Sequence, residues 1–436
     1  DQIILGQDVE HGQGNIHAIG DRIVIDHDRQ ATGSSNATVG MPKAILATNE
    51  MVGSPCSPWK PTTSAFVGVP TSVPVSLAKP IGLYGAGNLG HMARDFLKAV
   101  WYDFDFVVDR NAGALSADPA WLGKPVYHPD HVPAALKISH QLLVTVATAA
   151  QVPLERELAA LGFQHIVPFY DFSEKFRHLH PLSNGWRAGP LSLTDKSMTG
   201  AVLAGFADDA SRAHHLQFLA WRRLRQEWTF APAPVTGQDR FFIPEVLAGL
   251  RPGDVFLDAG AHHGSVALAF DRQRQGDWKQ IIAVEPDPAN RAVMQQAFAD
   301  HWPAEARKRP TILDNALGAR RQTAAFHHGL GYASQLADTG RRKVEVTTID
   351  LLDAAPDFVK LHLEGAELET LKGGWQTLKQ ARPIVAATVY HNDDGIWKTP
   401  LWMMQAVDNY RFLFRLHSWC GTGAVLYAIP AERMPA

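Results

Sequence analysis

Two segments of the chain join an apolar strand to a glycine-rich turn and the first turn of a helix, and this recurrence limits the fold more than any other feature. The first, "PIGLYGAGNLGHMARDFL", spans 80–97, and the second, "VFLDAGAHHGSVALAF", spans 255–270. A strand that turns on glycines into a helix opens a βαβ unit and directs the helix N-terminus at the space beyond the strand's carboxyl end. At 436 residues the chain is too long for one ordinary domain. Two such openings predict an α/β protein made of two Rossmann-like doubly wound units.

The texture of the chain agrees. After Pro80, "IGLYGAG", "FDFVVD", "QLLVTVAT" and "QHIVPFYDF" read as four strands separated by helical stretches, a pattern that implies a parallel sheet. Residues 79–175 form this first unit, a nucleotide-binding domain. Residues 176–237 are a helical linker. Within it "DDASRAHHLQFLAWRRLRQEW" (208–228) places Leu216, Leu219, Trp221 and Leu224 on one broad face, with Asp208 or Asp209 as N-cap. Residues 238–436 form the second unit, with strands at "VFLDAG", "IIAVEP", "PTILDNAL", "VEVTTI", "FVKLHLEG" and "PIVAATVYH". It closes on "RFLFRLH" and "AVLYAIP", joined through Gly421 and Gly423 as an antiparallel hairpin on the sheet edge. Residues 1–78 are rich in Gly, Pro, Ser and Thr without periodicity and are expected to be poorly ordered. The first residue is not Met, and Met41 or Met51 is a candidate for the true start.

Composition excludes several classes. The net charge of −3 argues against a general nucleic-acid or membrane-surface binder, which needs a basic excess. The only two cysteines, Cys56 and Cys420, form no C-x-x-C pair, so neither a disulfide framework nor a cysteine zinc site is expected. With no transmembrane-length apolar run, a cytoplasmic enzyme is the default expectation.

The two turns differ chemically. Gly85, Gly87 and Gly90 form G-x-G-x-x-G, and Asp109 ends the next strand at the spacing of a ribose-binding acid. Either this turn binds a nucleotide or nucleotide-sugar, or its glycines serve strand–helix packing alone; no hydride-transfer constellation accompanies it. The second turn is D-x-G-x-x-x-G, with Asp258, Gly260, Ala261 and Gly264. A carboxylate there disfavours a pyrophosphate and suits a ligand that carries an amino group, such as the methionine part of S-adenosyl-L-methionine. One strand later Glu285 is placed to accept two ribose hydroxyls. Asp314 and Asn315, after the third strand, stand where a polar contact to adenine is expected.

The remainder of the second unit resembles a known family. "DFVKLHLEGAELETLKGG" (357–374) is similar to the K-x-D-x-E-G-A-E-x-x-x-L-x-G signature of the FkbM methyltransferases, and "TTIDLL", "RPIVAATVYH" and "VLYAI" fit around it. "DDASRAHHLQFLAWRRL" and "DRFFIPEVL" resemble lead-in segments of one subgroup. The resemblance covers roughly 205–430. It implies a class I fold, S-adenosyl-L-methionine as donor, and O-methylation of a hydroxyl on a sugar, glycan precursor or related natural product by in-line displacement. One position departs: His362 stands where the family has Asp, so roles of that acid do not carry over. The first unit, in turn, loosely resembles small Rossmann domains attached to sugar-modifying enzymes.

In a strand, Lys360, His362 and Glu364 share one face, and three ionisable groups on a central strand are costly unless used. They are expected to line the substrate side of the pocket. His391, ending "ATVYH", is the candidate base, with His362 its rival. The pairs His214–His215, His262–His263 and His327–His328 form no zinc spacing, and no metal is expected. "GLGYASQL" (329–336) reads as a mobile loop, with Tyr332 and Ser334 as possible substrate contacts. The partner expected is a small-molecule or carbohydrate substrate, not nucleic acid or membrane, with homo-oligomerisation left open. Two other functions compete: an NAD(P)-dependent oxidoreductase using the first turn, and a non-catalytic protein that binds a nucleotide and S-adenosyl-L-methionine.

Overall fold

The computed structural model describes residues 75–182 and 191–434, together with strand backbone at Ile4–Leu5, Gly14–Ile19 and Arg22–His27. Apart from those strands and residues 75–78, the stretch 1–78 lies outside the described residues. The chain divides into two compact units. One holds residues 1–200, 216–235 and 418–422; the other holds 201–215, 236–417 and 423–436.

In the first unit, β1 (Ile81–Tyr84), β2 (Phe106–Val108), β3 (Val126–Tyr127), β4 (Gln141–Val144) and β5 (Ile166–Pro168) pair in parallel in the order β3-β2-β1-β4-β5. The two-residue edge strand β3 is one more than the four that apolar runs reveal. Helix α1 (Asn88–Ala99) buries Leu89, Ala93, Phe96 and Leu97, a helical stripe packed on the sheet. Gly85 lies at φ 103°, and a Cβ on Gly90 would collide with the Gly85 carbonyl oxygen. Both glycines are therefore demanded by the turn itself. Gly87 is different: a side chain there would meet open space.

Two helices follow. Helix α2 (Leu193–Gly205) begins on a reciprocal cap, in which the Ser192 hydroxyl accepts from the Asp195 amide at 3.1 Å and the Asp195 carboxylate accepts from the Ser192 amide at 3.0 Å. Helix α3 (Asp209–Leu224) is capped by Asp208, which accepts from the Ser211 amide at 2.8 Å. Leu216, Leu219, Trp221 and Leu224 are all buried.

The second unit opens with α4 (Pro244–Gly249) and β6 (Val255–Ala259), which leads into the second glycine turn as β1 leads into the first. Then come α5 (Ser265–Arg274), β7 (Gln280–Val284), α6 (Pro288–His301) and β8 (Thr311–Leu313). A small sheet follows, built from β9 (Ala316–Leu317), β10 (Gln322–His327), β11 (Gln335–Leu336) and β12 (Arg342–Thr347) in the order β9-β12-β10-β11. The chain then returns through β13 (Phe358–Leu361), α7 (Glu367–Lys372), β14 (Ile384–Thr388), α8 (Lys398–Ala406), β15 (Tyr410–Leu416) and β16 (Ala424–Pro430). The main sheet has seven strands in the order β8-β7-β6-β13-β14-β16-β15, parallel except at β16 and β15. Its closing pair is the antiparallel hairpin read from the sequence. Two readings change: "PTILDNAL" splits between the two sheets, and "VEVTTI" belongs to the small sheet.

Strands β6, β13, β14 and β16 are buried along their whole length, as expected of a sheet covered on both faces. Phe256 stacks on Phe358 and Phe270 with ring centroids at 4.9 and 4.6 Å, which joins β6, β13 and α5.

Of the adjacent histidines, His215 is structural. It is fully buried between Phe206 and Phe414, and its Nε2 donates to the Ile396 carbonyl at 2.7 Å while Nδ1 has no partner. Burial lowers its pKa to about 4 from 6.5. The unfolded chain therefore takes up a proton first as pH falls, so stability present above pH 6.5 is lost between 6.5 and 4, by roughly 3 kcal/mol from this group alone. His215→Phe should make the second unit's urea midpoint less pH-dependent across that window; an unchanged acid slope would refute the assignment.

Candidate active site at the carboxyl end of the seven-stranded sheet

The glycine turn after β6 is shaped by what lies against it. Gly260 sits at φ 75°, and the Gly260 and Ala261 amides both donate to the Val284 carbonyl at 3.0 Å. A Cβ on Gly260 would collide with the His362 carbonyl oxygen just beyond β13. Gly264, at φ 78°, starts α5 where a Cβ would press on Met294 and Phe298 of α6. The two glycines thus let the turn pass between β13 and α6.

Asp258 and Lys360 are paired in register on neighbouring strands. Their side chains form an ion pair of 2.9 Å, with Asp258 fully buried and Lys360 2% exposed. The ammonium also donates to the Gly260 carbonyl at 2.7 Å and the Ala259 carbonyl at 3.3 Å, so Lys360 fastens the turn. It faces Asp258 and the turn, in contrast to the expected placement among substrate-facing groups. Burial raises the Asp258 carboxyl, opposed by Lys360. The second Asp258 oxygen, Oδ2, forms no hydrogen bond of ordinary geometry, although the Ala267 amide acts on the carboxylate from the side of α5.

Glu285, at the tip of β7, accepts from the His262 amide at 2.8 Å and the Asp287 amide at 2.9 Å. Burial pushes its carboxyl up. The first unit repeats the device: Asp109 accepts from the Ala86 amide at 2.9 Å, which ties the end of β2 to the Gly85–Gly90 turn. His262 lies at φ 49°, stacked on His263 with ring centroids at 3.6 Å, and burial and His263 lower its pKa to about 4. Asp314 is exposed beyond β8, and Asn315 is half-buried, reaching the Glu345 carbonyl at 3.4 Å.

The segment 329–336 is anchored. Asp287, which caps α6 through the Ala289 amide, also accepts from the Gly329 amide and the Ser334 hydroxyl, each at 2.8 Å. Asn290 donates to the Gly331 carbonyl at 3.0 Å. Ser334 is thus committed to Asp287. Tyr332 remains 38% exposed, with its ring 6.5 Å from that of His262.

Beyond β13 and β14 the remaining ionisable groups meet. Strand β13 ends at Leu361, so His362 and Glu364 do not continue one strand face with Lys360; Glu364 adopts φ 51° and Gly365 φ 108°, a left-handed turn that folds Glu364 back. The Glu364 carboxylate lies 3.1 Å from His362 Nε2 and 3.3 Å from His391 Nε2. His391 Nδ1 lies 3.0 Å from Glu367, which also accepts from the Leu363 amide at 3.0 Å, the Gly365 amide at 2.9 Å and the Thr388 hydroxyl at 2.6 Å. The His362 and His391 rings are nearly parallel, with centroids 5.2 Å apart. Tyr390 brings its hydroxyl within 3.1 Å of His362 Nε2 and accepts there from Arg240, also at 3.1 Å. Burial alone would raise both carboxyls, but His391 outweighs it and holds Glu364 and Glu367 below the usual range. Burial would lower His391, but Glu364, Tyr390 and Glu367 push it well above its ordinary value. Burial lowers His362 to about 4. The surroundings thus favour the charged form of His391 and the neutral form of His362.

Glu367, Tyr390, Arg240 and Asp287 were given no role in the sequence reading. Glu367 stands inside the quoted signature, and its position was the available signal; the other three are visible only once the chain is folded.

A seven-stranded sheet with a glycine turn after β6, an acid at the tip of β7 and an antiparallel closing pair is the arrangement of the class I methyltransferase fold. Residues 258–414 match the family model of the methyltransferase FkbM domain, and the chain carries an FkbM methyltransferase domain. A methyltransferase FkbM of known structure from Methylobacillus flagellatus KT is similar at a TM-score of 0.59 and 16% identity, over 84% of this chain and 95% of that one. A precorrin-6y C5,15-methyltransferase from Geobacter metallireducens GS-15 (TM-score 0.27, 14% identity, 44% of this chain and 91% of that one) and the S-adenosylhomocysteine-bound Podospora anserina methyltransferase PaMTH1 (0.30, 13%, 55% and 97%) are more distant. No curated protein matches the sequence. Among the described residues no helix is long and apolar enough to cross a membrane.

The buried pair supplies a prediction. Removing one partner of a buried ion pair strands the other, at a cost of about 3–5 kcal/mol, whereas replacing both with apolar groups restores much of the loss. Lys360→Met should therefore lower stability to denaturant strongly, and Asp258→Leu with Lys360→Met should recover a large part of it. Additive losses in the double mutant would refute the coupling.

Proposed function

We propose that the second unit transfers a methyl group from S-adenosyl-L-methionine to a hydroxyl oxygen of a small molecule, with a sugar, glycan precursor or related natural product as acceptor. The observation that carries this reading is the contact between Gly260 and the His362 carbonyl, because it sets the glycine turn directly against the His362–Glu364–His391 cluster.

The chain's residues suit the donor. Asp258 Oδ2 is a buried acceptor without a hydrogen-bond partner, matched to an amino group near the turn. Glu285 is a carboxylate fixed by two amides at the end of β7, matched to ribose hydroxyls. Gly260, Ala261 and Gly264 allow close approach, and Asp314 and Asn315 border the adenine side. When bound, S-adenosyl-L-methionine supplies an electrophilic methyl group poised for in-line displacement by an oxygen. The protein's tasks are to orient the acceptor and to take up its proton. Of the two candidate bases, His362 fits this task better than His391. His391 is charged, with each ring nitrogen on a carboxylate, whereas His362 is neutral, half-buried and backed by Glu364, which stabilises the imidazolium that proton uptake creates. The neighbouring Lys360 then acts as a positioning residue for the turn.

S-Adenosylhomocysteine should bind the wild-type protein in calorimetric titration and bind Glu285→Gln roughly tenfold more weakly or worse, as expected for losing hydrogen bonds to a charged group. Glu285 is preferred to Asp258 for substitution because removing Asp258 would strand Lys360. His362→Ala should keep that binding while methyl transfer to hydroxylated acceptors falls on the order of 10²–10⁴. Binding of NADH without any binding of S-adenosylhomocysteine would instead favour an oxidoreductase that uses the Gly85–Gly90 turn.

A further inference from the structure

We propose that His362, Glu364 and His391 form a site for a divalent transition-metal ion of the zinc class. The use we assign to the ion, holding and polarising the acceptor hydroxyl, rests on the methyl-transfer reading; the site itself does not.

The donor set is the first argument. Two imidazoles and one carboxylate, each offering one atom, lie with those atoms within 4.8 Å of one another, and His391 would release its Nε2 proton to solvent on taking up the ion. Ligands about 2.0–2.2 Å from a zinc-class ion are separated by roughly 3.0–3.4 Å in octahedral or tetrahedral arrangements. The distances from Glu364 to His362 Nε2, 3.1 Å, and to His391 Nε2, 3.3 Å, already match two edges of such a polyhedron. A pair of imidazoles with one carboxylate leaves coordination positions open, as catalytic ions require. The imidazole at position 362, in place of an acid, also makes the set suited to zinc-class ions over magnesium, which prefers oxygen ligands.

Orientation is the second argument. Metal-binding histidines characteristically direct their other ring nitrogen to a carboxylate or carbonyl. His391 does so: Nδ1 faces Glu367 at 3.0 Å, and Glu367 is itself pinned by two amides and the Thr388 hydroxyl. The ring cannot rotate freely, and Nε2 stays directed at Glu364. An ion pair between Glu364 and His391 would explain that contact alone. That pair does not by itself account for the nearly parallel His362 ring with its Nε2 on the same carboxylate oxygen, or for the left-handed backbone by which Glu364 reaches both. Access is the third argument. The His362 side chain is 19% exposed and that of Glu364 10%, against 5% for His391, so the cluster is open on the His362 side. An ion held there would take His362 as a ligand and would lower the pKa of a bound acceptor hydroxyl, whose proton would then pass to solvent water rather than to the imidazole.

The test uses the full chain after chelator treatment, titrated separately with Zn²⁺ and Co²⁺ in the absence of donor and acceptor. About one equivalent should bind, with visible d–d absorption for Co²⁺, and His362→Ala, His391→Ala and the near-isosteric Glu364→Gln should each weaken binding at least tenfold. Glu367→Gln should weaken it by roughly 10–100-fold through His391. S-Adenosylhomocysteine titration of the same samples reports whether each variant is folded, and Glu364→Gln carries the test if an alanine variant loses that binding. Absent binding, or undiminished binding in Glu364→Gln, overturns the proposal. S-Adenosylhomocysteine binding without metal binding would overturn the metal site and leave the methyl-transfer reading intact; metal binding without S-adenosylhomocysteine binding would do the reverse.

Discussion

The site depends on a steric constraint at one atom. Because Gly260 has no Cβ, the turn after β6 can lie on the His362 carbonyl oxygen, which brings the glycine turn against the segment that carries His362 and Glu364. Any side chain at 260 would push the turn off β13 and, with it, the Lys360 ammonium that holds the Ala259 and Gly260 carbonyls. The in-register pairing of Asp258 with Lys360 completes the joint. Strand pairing, turn geometry and charge placement are thus coupled at the junction of β6 and β13.

Around this joint, buried charge is handled by mutual satisfaction. Glu285, Asp287 and Glu367 each accept from two or more donors, most of them backbone amides of the turns they border. Such carboxylates act as internal caps and make loops rigid that would otherwise carry unpaired amides. Segment 329–336 shows the effect, since its Gly, Tyr and Ser content suggests a mobile loop while Asp287 and Asn290 tie it to α6. The His362–Glu364–His391 cluster is arranged differently: both imidazoles meet one carboxylate oxygen, and the His362 and Glu364 side chains keep 19% and 10% of their surface exposed.

Much of the architecture was legible because parallel strands buried on both faces are written as short apolar runs, and these runs end where the sheet ends. Both glycine turns, the acids at the tips of β2 and β7 and the closing hairpin follow from local sequence. Short or half-exposed strands were not legible: β3, β10 and β11 carry little apolar signal. The cap at the start of α2 is written in "SLTD", but Gly- and Pro-rich neighbours obscure it. In the site, alternation along "KLHLE" suggested one shared face for Lys360, His362 and Glu364. It failed because β13 stops at Leu361 and the left-handed Glu364–Gly365 turn redirects the chain. The relative charge of His362 and His391 depends on carboxylates brought from α7 and the turn before it, which no linear pattern could order.

The most direct test of this description is a crystal structure of the full chain with S-adenosylhomocysteine. The ribose hydroxyls should lie on the Glu285 carboxylate and the amino group near Asp258, with the sulfur facing the His362–Glu364–His391 cluster. Density for the ligand at the Gly85–Gly90 turn, or at the β6 turn but with the sulfur directed away from His362, would contradict it.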